Sequence, residues 1–354
     1  MNDPVVDVVI PVHTDRRPIA RAIASVLTTA TTPTRVNVVC HNIEPARIAE
    51  AAGAWADDAR VRFLHVEDAV PSPAGPINAG LAAATGEFTA LLGSDDEYEP
   101  GAVDAWVEVA RRDGAELVIP PLRTRPGGPT KSPPVRPFRQ RRLDGVRDRL
   151  AYRTVQLGLV SRARFGDVRM TEGLRTGEDI VQGASLWFSD ARISLTRGPG
   201  YLIHEDDPAE RTSSSPKPAA ESLRFLDAVL SPGFLARLTT AQRESFCIKL
   251  LRTHLMDILG ASLRAGAPAD DLAALSEAAT RILDVAPSSL GPLSRREARI
   301  VRELVGGRDR HVLAVEHVRL TDFRRPANLL PSSLAKALHR EAPLRILPAL
   351  ALMR

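Results

Sequence analysis

Two groups of adjacent acidic residues are the first features of this sequence that could do chemistry. Asp95, Asp96 and Glu97 follow the apolar run Phe88–Leu92, which has the length and composition of a buried strand. Ligands bind outside the carboxyl ends of strands in an open α/β sheet, so carboxylates placed there could hold a divalent metal ion against phosphate oxygens. The same acids could instead form a turn and begin the helix after Pro100, because Asp and Ser favour both positions.

The second acidic group is the pair Glu178 and Asp179. It precedes an apolar helical pattern that includes Ile180 and Trp187, and Thr176 is a candidate helix start. Acids at this position could be reactive groups, or they could only interact with the dipole of the helix N-terminus.

A predicted loop at 200–215 carries His204 and Arg211. A single histidine is most often structural or simply surface-exposed, although histidine is also the commonest side-chain metal ligand. The residue types therefore leave both interpretations of His204 open.

Alternating strands and helices must position these groups. Short apolar runs predict strands at Val5–Val12, Arg35–Cys40, Arg60–Val66, Phe88–Leu92, Glu116–Ile119, Leu157–Ala163 and Ile193–Thr196. Helical patterns lie between them at Pro18–Leu27, Pro45–Trp55, around 78–81 and at Ala102–Arg112. This alternation predicts an α/β fold with a mostly parallel sheet flanked by helices. GxGxxG and GxxxxGK[ST] do not follow the first strand, which argues against dinucleotide-binding and P-loop sites.

Composition narrows the class of protein. A chain of 354 residues with 44% hydrophobic content can bury a core and form two domains. The net charge of +4 favours anionic partners, and no basic motif interleaved with aromatic residues indicates nucleic acid. Cys40 and Cys247 form no CxxC pair, no signal peptide pattern opens the sequence, and no window reaches 18 apolar residues. These observations predict a cytoplasmic protein, with contact to the inner face of a membrane as an open alternative.

Residues 121–142 are rich in Arg, Pro and Gly and contain no acid. Such a segment predicts a flexible basic loop, which could be a solvated connector or a flap that meets phosphate or an anionic acceptor.

After Pro216 the composition changes to amphipathic helices rich in Leu, Ala and Arg. They are predicted at Glu221–Leu230, Thr239–Ala265, Ala269–Val285 and Ser294–Val305, with capping boxes at Thr239/Gln242 and Ser294/Glu297. The last stretch, Leu344–Arg354, could pack on these helices, join subunits into a homo-oligomer or touch a membrane surface.

With these residues placed, the sequence resembles the family 2 glycosyltransferases of the GT-A fold. The resemblance covers about Val5 to Ser215 and rests on the order of separated motifs: VDVVIPVH at 6–13, ASVL at 24–27, NAGL at 78–81, ATGE at 84–87, LLGSDD at 91–96, GED at 177–179, His204 and RTS at 211–213. It implies a transferase domain over 1–215, with a nucleotide-binding half at 1–120, the basic flexible loop at 121–142 and an acceptor half at 143–215. The resemblance does not extend to the C-terminal helices, and the change in composition after Pro216 predicts a separate helical domain over 216–354.

The resemblance implies inverting transfer of a sugar from a nucleotide-diphosphate sugar, first of all a UDP-sugar, to an acceptor hydroxyl. Asp179 matches the general base and Glu178 would orient it, while Asp95 and His204 would hold Mn²⁺ or Mg²⁺ and Arg211 would close over the diphosphate. The implied donor-binding residues are Pro11, His13, Asp15, His41, Asn78, Ser94, Asp95, Asp96 and Arg211. The implied acceptor is a glycan, a cell-wall polymer or a lipid-linked molecule of polysaccharide biosynthesis.

The sequence departs from the family pattern at three positions. Gly93 replaces the first Asp of the DxD motif, Cys40-His41 stands where an Asp pair is common, and Ile77 replaces an Arg. These departures motivate one alternative, a non-catalytic protein that binds nucleotide or glycan on a degenerate GT-A fold. A nucleotidyltransferase is the other alternative, although the loop after the first strand lacks the Gly-rich sequence of that class.

Overall fold

The computed structural model describes residues 3–130, 132–205, 217–307 and 309–352. The chain divides into two compact units. The first unit comprises residues 1–132, 138–143 and 153–214, and the second comprises 133–137, 144–152 and 215–354. The segments 133–137 and 144–152 therefore belong with the C-terminal helices, which the composition of the sequence does not indicate.

Eleven strands in the described residues form two sheets. They are β1 (Val6–Val12), β2 (Thr34–His41), β3 (Val61–Val66), β4 (Phe88–Leu91), β5 (Glu97–Tyr98), β6 (Leu117–Ile119), β7 (Leu122–Arg125), β8 (Pro129–Thr130), β9 (Leu159–Ser161), β10 (Ile193–Leu195) and β11 (Tyr201–His204). The larger sheet has the order β10-β6-β9-β4-β1-β2-β3. Its strand pairs are parallel except those of β9, which runs antiparallel to β4 and β6. The prediction of a mostly parallel sheet is confirmed.

Helices flank this sheet in the first unit. They are α1 (Ile19–Leu27), α2 (Pro45–Ala52), α3 (Ala74–Ala83), α4 (Ala102–Asp113), α5 (Arg162–Phe165) and α6 (Ile180–Trp187), with a 3₁₀ turn at Gly53–Asp57. Alternate residues of β1 enter two separate clusters. Val8 and Ile10 pack with residues of α1, α2 and α4, whereas Val9 packs with Ala74 and Ile77 of α3. Burial of both faces explains why β1 is rich in β-branched residues.

The smaller sheet has the order β5-β11-β7-β8 and was not predicted. Its strand β11 lies inside the segment 200–215, which the sequence predicts to be a loop, so that prediction is wrong for Tyr201–His204. These residues pair with β5 and β7. The strand is only four residues long, and so it carries too short a pattern to be recognised without its partners.

The basic segment 121–142 also differs from its prediction as a structureless loop. β7 and β8 form an antiparallel hairpin in it, and residues 140 and 143 make backbone hydrogen bonds to β10. Several of its arginines have carboxylate partners: Arg123 pairs with Glu99, Arg136 with Asp148 and Arg141 with Asp113. The segment therefore presents less uncompensated positive charge than the sequence suggests.

The second unit is helical in its described part. Its helices are α7 (Ala219–Ser222), α8 (Phe225–Val229), α9 (Pro232–Leu235), α10 (Thr240–Lys249), α11 (Met256–Arg264), α12 (Ala269–Val285), α13 (Arg295–Gly306), α14 (Arg310–Val318), α15 (Pro326–Leu329) and α16 (Pro343–Leu352). A π-helical turn at Leu250–Leu255 joins α10 to α11, and short 3₁₀ turns lie at Leu150–Tyr152, Pro287–Leu290 and Leu334–Lys336.

Both predicted capping boxes are present at the starts of α10 and α13. The helix predicted at Glu221–Leu230 is instead two short helices, α7 and α8. None of the helices in the described ranges has the length and hydropathy needed to cross a bilayer.

Candidate active site

A cavity of about 330 Å³ lies where β1 and β2 end and where the acidic turn follows β4. It is lined by Pro11, Val12, His13, Arg17, His41, Asn42, Pro71, Ser72, Pro73, Pro76, Gly93, Ser94 and Asp95. Five of the predicted donor-binding residues are in this lining: Pro11, His13, His41, Ser94 and Asp95. The cavity is within the size range of small-molecule sites and lies at the edge of the sheet where open α/β folds bind ligands.

The acidic turn is built around the absence of a side chain at residue 93. The amide of Asp96 donates to the carbonyl of Gly93 over 3.1 Å, which closes the turn. A Cβ atom on Gly93 would lie 2.7 Å from Oδ2 of Asp96 and 3.1 Å from Oδ1 of Asp95. The first Asp of the family motif would therefore not fit unless the carboxylate of Asp96 moved.

Asp95 is bound by Arg17, which lies two residues before α1, and by Arg21 in the first turn of that helix. Nη1 of Arg17 donates to Oδ2 of Asp95 over 2.5 Å, and Nη2 of Arg21 donates to the backbone carbonyl of Asp95, also over 2.5 Å. Cations are unfavourable at the positive end of a helix dipole unless an anion is close to them. Asp95 supplies that anion, and in return its carboxylate is fixed at the cavity wall.

Asp96 is turned toward β11 and away from the cavity lining. Its Oδ2 accepts a hydrogen bond from the hydroxyl of Tyr201 over 2.6 Å, and its Oδ1 accepts one from the backbone amide of His204 over 3.0 Å. Burial, together with the neighbouring Asp96, raises the pKa of Tyr201 well above its usual value. Tyr201 therefore stays neutral and remains a donor to Asp96.

His204 and Glu97 form the next pair in the turn. Nε2 of His204 lies 2.5 Å from Oε2 of Glu97, and Nε of Arg21 lies 3.9 Å from the same carboxylate oxygen. The side chain of His204 is buried.

These contacts do not fit the predicted Mn²⁺ or Mg²⁺ site. The two predicted ligands, Asp95 and His204, are engaged by Arg17 and Glu97, and Asp96 accepts bonds on both of its oxygens. Among the residues that the structure describes, no three His, Cys, Asp or Glu side chains are grouped in a way that could hold a metal ion. Arg17 lies beside Asp95, the one acid among the described residues that line the cavity, and this positive charge also opposes binding of a second cation there.

Two other predicted donor-binding residues lie outside the cavity lining. Asp15 accepts a hydrogen bond from Arg47 of α2 over 2.5 Å, which joins the loop after β1 to that helix. Asn78 exchanges hydrogen bonds with the backbone of Met170 over 2.9 and 3.0 Å and donates to Glu172 over 3.1 Å. Asn78 therefore holds the segment that leads to the second acidic pair.

Glu178 and Asp179 lie directly before α6, and both are partly exposed. Asp179 occupies the N-cap position, so the helix begins later than the predicted start at Thr176. Helix α6 packs closely against the backbone at Thr154. A Cβ atom on Gly183 would lie 2.1 Å from the carbonyl oxygen of Thr154. Arg211 lies outside the described residues.

Three residues of the site were missed by sequence reasoning: Arg17, Arg21 and Tyr201. Arg17 lies two residues before α1 and Arg21 lies in its first turn, so the sequence signal for them is only that two cations flank the start of a helix. Tyr201 gave no such signal, because its strand was not recognised.

Comparisons with known proteins agree with the fold of the first unit. Residues 7–171 match the family model described as glycosyl transferase family 2. The succinoglycan biosynthesis protein ExoO of Rhizobium meliloti (strain 1021) is 27% identical over 226 residues, which are 58% of this chain and 63% of that protein. The chain thus spans less than two thirds of this curated relative.

The fold is shared with solved structures of S. aureus TarS. Residues 1–349 of TarS in complex with UDP-GlcNAc superpose with a TM-score of 0.71 at 14% identity, over 90% of this chain and 91% of that one. A longer TarS structure gives a TM-score of 0.67 at 15% identity, over 89% of this chain and 55% of that one. These matches show a GT-A fold followed by helices. Residues 7–171 are therefore similar to glycosyl transferase family 2.

Proposed function

We propose that this protein transfers a sugar from a nucleotide-diphosphate sugar to an acceptor hydroxyl with inversion at the anomeric carbon. The observation that carries the proposal is the 330 Å³ cavity of the family 2 domain, which lies at the carboxyl ends of β1 and β2 beside Asp95. A UDP-sugar is the first donor to test, because the related TarS structure contains UDP-GlcNAc.

The transfer needs one proton acceptor on the acceptor side of the sugar. The acceptor oxygen attacks the anomeric carbon as the bond from that carbon to the diphosphate oxygen breaks, and the bonding electrons leave with the diphosphate. The hydroxyl proton goes to a base, and Asp179, partly exposed at the start of α6, is the residue we assign to it. Glu178, its neighbour, would orient it.

The acceptor class is proposed from the relative. The name of ExoO assigns that protein to succinoglycan biosynthesis, so a glycan of a cell-surface polysaccharide, a wall polymer or a lipid-linked precursor is the acceptor class to test.

The test has a binding stage and a turnover stage. Thermal unfolding is followed with UDP, GDP, CDP and dTDP, since a ligand that binds only the folded state raises the melting temperature. The nucleotide that binds then selects the sugar donor, and release of nucleoside diphosphate and the anomeric configuration of the product are measured with candidate glycans. Asp179→Asn should bind nucleotide like the wild type and lose turnover. A retained configuration, or full turnover by Asp179→Asn, would refute the proposed mechanism.

The non-catalytic alternative is favoured by one observation, the packing of the turn around Gly93. It predicts nucleotide or glycan binding with no release of diphosphate from any sugar donor. The turnover stage distinguishes the two functions.

A further inference from the structure

We propose that Arg17 supplies the positive charge that holds the donor diphosphate in this cavity, so that nucleotide binds without a divalent metal ion. The inference deepens the proposed function and rests on it, since it concerns the same cavity and the same class of ligand.

Arg17 is placed to meet a ligand in the cavity. It is one of the lining residues, together with His13, His41 and Asp95, and only 5% of its side chain is exposed. A guanidinium group carries several donors in a planar fork that matches phosphate oxygens, and it stays charged at any relevant pH. Because its surroundings are largely protected from water, its attraction for an anion is less screened than at the surface.

Asp95 acts in this arrangement as an anchor for Arg17. Its Oδ2 accepts from Nη1 of Arg17, and its backbone carbonyl accepts from Arg21. One residue of the acidic turn thus holds both guanidinium groups at the N-terminal end of α1, a place where the helix dipole also favours an anion. The ligand class that this charge pattern fits is a diphosphate.

The carboxylates that would otherwise hold a metal ion are committed to protein donors. Asp96 accepts from Tyr201 and from the amide of His204, while His204 itself pairs with Glu97. A side chain at residue 93 would require the carboxylate of Asp96 to move, because its Cβ atom would lie 2.7 Å from Oδ2 of Asp96. A divalent ion on Asp95 would lie beside Arg17, where the two cations repel each other. In this chain the acidic turn therefore binds Arg17 through Asp95.

The experiment measures the affinity for UDP by calorimetry, in EDTA and in Mn²⁺, for the wild type and three variants. Arg17→Gln removes the charge, Arg17→Lys keeps it without the fork, and Asp95→Asn keeps the shape of the anchor without its charge. Arg60→Gln is the matched control, because Arg60 pairs with Asp58 at an exposed site outside the cavity. GDP, CDP and dTDP replace UDP if UDP does not bind.

We expect equal affinity in EDTA and Mn²⁺ for the wild type. Arg17→Gln should weaken binding about tenfold or more, as expected for the loss of a hydrogen bond to a charged group, with partial recovery in Arg17→Lys. Asp95→Asn should bind as tightly as the wild type or tighter, because it removes an anion next to the diphosphate. If Asp95 instead held a metal ion that binds the diphosphate, Asp95→Asn should weaken the binding of nucleotide.

Three results would overturn the proposal. If the wild type binds only with Mn²⁺, or if Arg17→Gln binds like Arg60→Gln, the arginine is not the phosphate ligand, although the proposed function stands. If Asp95→Asn loses binding while its unfolding curve matches that of the wild type, Asp95 itself contacts the ligand or its metal. If no nucleotide binds under either condition, this inference and the proposed function fall together.

Discussion

The hydroxyl of Tyr201 connects the acidic turn to the second sheet: it donates to the carboxylate of Asp96 over 2.6 Å and accepts from the backbone amide of Gly93 over 2.9 Å. Both partners are in the turn that follows β4, whereas Tyr201 is the first residue of β11. The position of the turn at the cavity therefore depends on a strand that is distant from it in sequence.

Removal of this hydroxyl should disturb the turn and the cavity together. We expect Tyr201→Phe to lower the free energy of unfolding by about 1–3 kcal/mol, because it removes a hydrogen-bond partner from the partly buried carboxylate of Asp96 and amide of Gly93. It should also weaken nucleotide binding. Urea unfolding and calorimetry with UDP measure the two effects.

Tyr98→Phe is the control for this variant. Tyr98 is equally buried, and its hydroxyl donates to the carbonyl of Leu91 over 2.9 Å. It should lose similar stability and keep the affinity for nucleotide. Equal loss of affinity in both variants would show that the effect of Tyr201 is general and not specific to the turn.

The sequence predicts those features of the fold and of the site that depend on residues close together in the chain. The strand β4 and its acids are adjacent in the chain, and the capping boxes at Thr239 and Ser294 are four-residue signals, so each can be read from its own segment. The pair of Arg17 and Asp95 joins residues 78 positions apart, and periodicity does not specify which side chains meet across a fold. For the same reason the sequence predicts Asp95 and His204 as metal ligands but gives no sign of their contacts with Arg17 and Glu97.

A side chain at residue 93 should displace Asp96. In Gly93→Ala the added Cβ would lie 2.7 Å from Oδ2 of Asp96, and overpacking of this kind costs about 1–3 kcal/mol of stability. We therefore expect a lower free energy of unfolding and weaker nucleotide binding. Gly93→Asp, which restores the family motif, should be destabilised as well and should not gain a requirement for Mn²⁺.

Gly128→Ala is the matched control for Gly93→Ala, because a Cβ atom there would meet nothing within 4 Å. It should change stability little. Tight Mn²⁺-dependent nucleotide binding by Gly93→Asp, with unchanged stability, would show that the turn can still accept the complete acidic motif.

The stability of the first unit should depend on pH through Asp7. Its carboxylate accepts hydrogen bonds from Arg35, Asn37 and the backbone amides of Thr85 and Gly86, at 2.7 to 2.9 Å. Burial raises the pKa of Asp7, but these hydrogen bonds outweigh burial and lower the pKa below its usual value. A carboxylate with a lowered pKa stabilises the folded state fully above its unfolded pKa of about 3.9, and this contribution is lost as the pH falls through the folded pKa.

The measurement compares urea unfolding of the wild type and Asp7→Asn between neutral and acidic pH. At neutral pH we expect the variant to lose about 3–5 kcal/mol, the cost of breaking a buried ion pair. The difference should shrink below about pH 4, where Asp7 takes up a proton in the unfolded state while the folded state still holds it charged, and the difference should be lost once the pH falls below the folded pKa. Asp190→Asn, at an exposed ion pair with Arg164, should change stability little at any pH. A difference that stays constant into acid would contradict the assignment to Asp7.

Asn78 offers a test of whether it positions the acceptor side or contacts the donor. Its amide group holds the backbone of Met170 and the carboxylate of Glu172, which lie just before Glu178 and Asp179. Asn78→Ala removes these hydrogen bonds, so the loop that leads to Asp179 should be less well fixed. We expect turnover to fall by about tenfold or more, the effect of a misplaced catalytic group, while the affinity for UDP stays close to that of the wild type. Turnover and the affinity for UDP, measured on the same preparation, distinguish a positioning role of Asn78 from direct contact with the donor. A loss confined to UDP affinity would instead show that Asn78 contacts the nucleotide, as its place in the family motif predicts.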